Sequence, residues 1–175
     1  IYASNAIPVW AMAAVTLGSA RVDLQQTQLA QLMAGGLVAL SEAGAQLVGG
    51  HTGESEALGI GYAVTGWREG PPNITSAGDD PVLVLTKPLG TGVVMAGQMK
   101  LAARGEWVTA AADMMARGNG LAAATIAPHR PVMTDVTGFG LARHAMNLAE
   151  RCGMQGIQID LAALPLLDGA KAMLE

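Results

Sequence analysis

The stretch TDVTGFGLARHAMNLAE, Thr134 to Glu150, sets one carboxylate, two hydroxyls and two glycines directly ahead of an apolar helical pattern. Asp135 offers the hard oxygen that Mg²⁺ prefers, and Thr137 is placed to cap a helix opened by Gly138. The free N–H groups of such a helix start attract an anion. A capped turn after a strand, with Asp135 binding nothing, accounts for the same residues equally well. The neighbouring segments have to decide between the two.

Working outward, strands alternate with helices, which gives an α/β or α+β layered fold. Pro8 to Leu17 is apolar almost throughout and suits a strand buried on both faces or a short buried helix. From Asp23 to Ala43, Leu24, Leu29, Leu32, Met33, Leu37 and Leu40 recur at helical spacing, with Asp23 as the candidate cap and Gly44 as the stop. AQLVGG and LGIGYAVTGW follow as β-rich runs joined by the polar link HTGESEA. The segment Arg68 to Pro81, with three prolines and two glycines, is the best internal boundary. Beyond it VLVLTK reads as a short buried strand, and Thr91–Ala103, Glu106–Arg117 and Gly120–Ile126 read as helices. A turn at His129, Arg130 and Pro131 follows, GIQIDL reads as a further strand, and DGAKAMLE looks helical.

Composition removes several function classes. The 175 residues are 51% apolar and carry a net charge of −4, which suffices for a core and leaves no basic field for nucleic acid or an anionic membrane. A bound phosphate would have to be met by backbone amides and a metal. The single cysteine, Cys152, excludes an internal disulfide and a thiolate cluster and suits a reducing cytoplasm. No window approaches the roughly 18 apolar residues of a membrane span, and no charged segment precedes an apolar one at the start. The opening IYASNAIPVW lacks Met and runs straight into strand-like sequence, as expected of a piece of a longer protein.

Further segments carry candidate chemistry. In VGGHTGESE, Val48 to Glu56, two glycines let backbone approach a ligand, with His51 and Thr52 beside them, although an ordinary turn reads the same way. In VLVLTKPLGTG, Val82 to Gly92, Lys87 precedes a Pro- and Gly-shaped turn into a helix. That resembles a phosphate-binding corner without the P-loop spacing, and a solvated strand-end lysine is the equal alternative. Asn119 reads as a cap or turn residue, and Asn5 sits among small residues with no charge beside it. His129 and His144 give no metal spacing, and Cys152 reads as a small buried hydrophobe at a helix end.

Taken in order, GGHT at Gly49–Thr52, LTKPLGTG at Leu85–Gly92 and TDVTGFG at Thr134–Gly140 resemble selenophosphate synthetase, the selenide, water dikinase family. IYASNAIPVWAMAAVTL is similar to the family segment that follows a metal-binding Asp, and Asn119 matches an Asn before an Ala-rich helix. The resemblance implies an aminoimidazole ribotide synthetase-like, two-domain α/β fold with both domains partial. Residues 1–78 would be the C-terminal part of an ATP-binding, dimerising domain, and residues 79–175 the first part of the next. It further implies that the first domain pairs with its twin to close a β-barrel across a homodimer. ATP would lie near that interface. The implied substrates are ATP, selenide and water, with Mg²⁺ as cofactor. Asp135 would then be a magnesium ligand, with Gly49, Gly50, His51 and Thr52 against the nucleotide. The family's catalytic Cys and Lys loop matches nothing here, and neither Cys152 nor Lys87 stands in for it. A catalytic residue is therefore not assigned, and the piece alone is expected to be inactive. A non-catalytic dimerisation or regulatory relative, even one fused to an oxidoreductase, and another ATP-dependent enzyme of the superfamily are the alternatives.

Overall fold

The computed structural model describes residues 1–18, 21–70 and 81–174. The chain divides into two compact units, Ile1–Pro71 and Pro72–Glu175. Most of the Pro- and Gly-rich boundary segment, residues 71–80, lies outside the described residues, and so does the boundary expected between 78 and 79.

The first unit is a three-stranded mixed sheet with one long helix. Strand β1 (Ile7–Leu17) lies at its centre, parallel to β2 (Gln46–Glu54) and antiparallel to β3 (Gly59–Trp67). Helix α1 (Val22–Glu42) makes the parallel connection and packs on β1 and β2. Strand β1 alternates instead of being buried on both faces: Ala11, Ala13, Val15 and Leu17 are buried, while Met12, Ala14 and Thr16 are exposed. Its apolar residues point both ways, but α1 covers only one face. A bulge at Val9, where the β3 register steps between Pro8 and Trp10, changes the parity and buries Pro8 on the same alternation.

Two readings of this unit need correction. Asp23 is not the cap of α1; Arg21 holds that position, and its guanidinium meets the Asp23 carboxylate at 2.6 Å in an exposed ion pair that lowers the Asp23 pKa. The polar link HTGESEA is also shorter than its composition indicates. Strand β2 continues through His51, Thr52, Gly53 and Glu54, because its backbone stays in register with Ala14 to Leu17 of β1. Ladder bonds come from the main chain, so polar side chains do not end a strand. The stop of α1 is as read: Gly44 has φ 68°, its N–H donates to Ser41 O, and Ala45 N–H donates to Leu40 O, closing a Schellman motif.

The second unit contains α2 (Thr91–Met99), α3 (Gly105–Ala116), α4 (Gly120–Ile126) and α5 (Gly140–Arg151). Its core is small, with Val94, Ala111, Leu167 and Ala170 buried and Trp107, Val108 and Met114 packed against them. Gly169 is required there: it has φ 79°, and a β-carbon on it would lie 2.2 Å from the Trp107 ring. Helix α2 stops four residues before the expected Ala103, since Leu101 takes a left-handed φ of 57°.

Three segments depart from their expected structure. VLVLTK is not a buried strand, for Val82 and Val84 are 82% and 72% exposed and only Leu89, further on, makes an isolated parallel bridge to Leu166. GIQIDL is likewise extended without a ladder. A strand needs a neighbour for its N–H and C=O groups, and among the described residues neither segment has one. DGAKAMLE forms consecutive turns from Asp168 to Leu174, not a helix.

Candidate functional site

In the first unit the residues of interest sit on β2. Leu47 pairs with Ala11 and Gly49 with Met12, so Val48 is an extra residue bulged out of a parallel pair. From there the register is Gly50 to Ala13, His51 to Ala14 and Thr52 to Val15. The glycine at 50 is dictated by this contact, because a β-carbon there would lie 2.2 Å from Ala13 O. Strand alternation then divides the quartet. Gly50 and Thr52 share the face of buried Ala13 and Val15, towards α1. Gly49 and His51 share the face of exposed Met12 and Ala14.

A shallow recess of about 180 Å³ lies beside β2, lined by Met33 of α1, by Ala13, Val15 and Leu47, and by Gly49 to Thr52. Sites that enclose a small ligand run to roughly 300–1,000 Å³. The recess by itself is too small and shallow to enclose a ligand of that size. The outer edge of β2 has no ladder partner among the described residues, so its N–H and C=O groups are open along the same stretch.

In the second unit the TDVTGFG loop does not cap a helix through Thr137. Helix α5 opens at Gly140, which has φ 75°, with Phe139 at the cap position and no side-chain cap bond. Thr137 instead turns towards His144 of α5. Its N–H donates to His144 Nε2 at 3.2 Å, and its hydroxyl contacts the same nitrogen at 3.2 Å. One turn earlier in the loop, Arg151 donates to Met133 O at 3.0 Å. Asp135 lies between these anchors, and its carboxylate is exposed and makes no hydrogen bond or ion pair among the described residues.

Among the described residues no group of three or more His, Cys, Asp or Glu side chains could hold a metal. Asp135 thus offers a single ligand position. This suits Mg²⁺, which keeps several waters and takes one or two carboxylates together with phosphate oxygens. Lys87 is committed elsewhere: its ammonium donates to Met114 O at 3.5 Å and to Arg117 O, both at the C-terminal end of α3. The lysine is thus not simply a solvated charge; it offsets the partial negative charge of a helix end. Asn119 occupies the cap position of α4 without a side-chain cap bond, and Cys152 is a free thiol at the end of α5. Asn5 takes the left-handed φ of 55° at the end of a short 3₁₀ turn, Tyr2–Ser4.

Residues 1–67 match the family described as AIR synthase related protein, N-terminal domain. A selenide, water dikinase from Geobacter metallireducens is 40% identical over 176 residues, which is 98% of this chain and 50% of that protein. The chain is similar to selenide, water dikinases over nearly its whole length. A second selenide, water dikinase, from Citrifermentans bemidjiense, is 35% identical over 179 residues, covering 100% of this chain and 51% of that protein. The chain thus spans about half the length of the curated relatives it matches.

Its fold is that of the wider group. Escherichia coli HypE, a hydrogenase maturation protein, superposes with a TM-score of 0.72 over 98% of this chain and 54% of that one, at 17% identity. AaThiL, solved with AMPPCP and TMP, gives 0.63 over 99% and 56%, at 19% identity. His144 and Arg151 are the residues that reading the sequence passes over. His144 lacks metal spacing to His129, and nothing else in its residue type marks it. The signal that finds the pair is a seven-residue interval on one helix behind the TDVTGFG loop.

Proposed function

We propose that the chain is part of an ATP-dependent selenophosphate synthetase, which converts ATP, selenide and water to selenophosphate, AMP and phosphate. The observation that carries this reading is the 40% identity to a selenide, water dikinase across 98% of the chain. The similarly folded AaThiL was solved with the ATP analogue AMPPCP, which supports a nucleotide site in this fold. With a net charge of −4, phosphate recognition falls to main-chain amides and a bound cation.

In this reading residues 1–78 belong to the ATP-binding, dimerising domain and residues 79–175 to the next. Gly49, Gly50, His51 and Thr52 line the nucleotide along the recess and open edge of β2. Asp135 holds one position on Mg²⁺; the ion supplies charge neutralisation at the phosphates. The exposed, unpartnered carboxylate is what supports this role. The protein acts as a homodimer in the cytoplasm. Exposed Trp10, Met12 and Trp67 on the sheet, and its open edges, support pairing with a second copy. The 175 residues by themselves do not turn over substrate, since neither Cys152 nor Lys87 is placed as a nucleophile or phosphate-binding cation.

The test is AMP formation by the protein that carries this chain, with and without selenide. It should require selenide and fall in Asp135→Asn by more than the roughly 10–100-fold typical of losing an outer-sphere partner. Selenide-independent AMP formation, or full activity in Asp135→Asn, overturns the assignment.

A further inference from the structure

We propose that His144 and Arg151 are positioning residues for Asp135, a two-point clamp by which α5 fixes the reach of this carboxylate towards a divalent cation; the inference rests on the reading of Asp135 as a magnesium ligand. Residues 131–137 belong to no helix or ladder, so the loop's own backbone does little to hold it. Arg151 holds Met133 O at 3.0 Å, and His144 Nε2 accepts from the Thr137 N–H at 3.2 Å with the Thr137 hydroxyl in contact at 3.2 Å. Met133 and Thr137 lie two residues to either side of Asp135. Their partners lie seven residues apart on α5, within about 20° of two full turns, and so on one face with a rise of about 10.5 Å. The four-residue step from 133 to 137 reaches at most about 13–14 Å. The segment that carries the carboxylate is thus tied at both ends to one face of α5.

The histidine end of the clamp has a defined protonation pattern. A backbone N–H can only donate, so Nε2 is the acceptor and the ring proton resides on Nδ1. The Thr137 hydroxyl lies against the same nitrogen at 3.2 Å. Phe139 lies with its ring centroid 6.5 Å from that of His144 at a 44° tilt, which restricts the imidazole further. Outer-sphere partners that fix a metal-binding carboxylate act through orientation, and their loss typically lowers affinity about 10–100-fold.

The test uses the whole protein that carries this chain, in two readouts. In the metal-free protein, ¹⁵N spectra of His144 should show the Nδ1–H tautomer, and the Thr137 amide should exchange slowly. His144→Leu should speed that exchange and raise the Mg²⁺ concentration for half-maximal AMP formation about tenfold, the low end of the outer-sphere range. His144→Gln, which keeps an acceptor within reach, should restore most of both. Arg151→Met should raise the Mg²⁺ requirement in the same sense without altering the His144 tautomer. Unchanged Thr137 exchange in His144→Leu, an unchanged Mg²⁺ requirement, or a glutamine variant indistinguishable from leucine overturns the clamp. Should His144→Leu fail to fold, His144→Gln and Arg151→Met decide the matter. If Asp135→Asn leaves the Mg²⁺ requirement unchanged, the magnesium reading is what fails; an altered requirement there with none in the clamp variants rejects the clamp alone.

Discussion

Replacing Gly50 by alanine and Gly49 by alanine should have opposite consequences, although the residues are adjacent on β2. At Gly50 the new β-carbon would lie 2.2 Å from Ala13 O and 3.1 Å from Ala13 N and C, whereas β-carbon contacts under 3.0 Å essentially never occur. The obstructing atoms are backbone of the central strand and cannot rotate away. The β1–β2 pair must open by nearly an ångström, which carries N–H to O distances near 2.9 Å well beyond hydrogen-bonding range. Losing two ladder bonds at about 1 kcal/mol each, with the low end of the roughly 1–3 kcal/mol typical of overpacking, gives about 3 kcal/mol. For a protein of this size that is a fall in Tm of about 6–12 °C. At Gly49 the nearest atom is the Met12 methyl at 4.0 Å, so alanine is accommodated. By restricting the unfolded chain it should be neutral or stabilising by up to about 1 kcal/mol. Thermal unfolding, with hydrogen exchange of the β1 and β2 amides to assign the change to this unit, measures both. A Gly50→Ala protein as stable as the parent, or a Gly49→Ala protein as damaged as Gly50→Ala, would refute the bulged register on which the argument rests.

Lys87→Met removes a cation from the carbonyls of Met114 and Arg117 and should lower stability by about 1–2 kcal/mol, the worth of a charged hydrogen bond at a helix end, while calorimetry finds MgATP affinity unchanged. Lost nucleotide affinity with unchanged stability would return Lys87 to a phosphate role. His51→Ala and Thr52→Ala should affect MgATP binding unequally, because their side chains leave opposite faces of β2; a ligand on the α1 side loses several-fold affinity with Thr52→Ala alone, and one on the open face with His51→Ala alone. Equal losses would contradict a strand at this point.

The parts of the fold that are legible in the sequence are those set by local signals. Helix α1 falls within a residue of its reading, because its apolar spacing and the glycine at 44 act over one or two turns. Gly120–Ile126 is recovered for the same reason. The misread segments depend on partners distant in sequence. VLVLTK and GIQIDL have strand composition, yet pairing makes a strand and their residues find none. HTGE has link composition, yet β1 lies alongside it and holds it in the ladder. Lys87 could not be settled from residue type either, since a phosphate and a row of helix-end carbonyls both present oxygens carrying negative charge. Only the position of α3 decides between them.

The same distinction applies to the two candidate segments, each within its own unit. Motif spelling identifies Asp135 and the Gly49–Thr52 quartet as residues able to meet a metal or a nucleotide, but reach and facing are properties of the backbone beneath them. On β2 the facing is fixed by a bulge at Val48: without that extra residue Gly49, and not Gly50, would lie over Ala13, and His51 would pair with Val15 and turn to the opposite face. In the TDVTGFG loop no ladder fixes the facing, and the task passes to two side chains of α5. A laddered strand and a tethered loop predict different tolerance to change. The strand should reject a single added methyl at 50 outright, while the loop should lose its cation by degrees as each tether is removed.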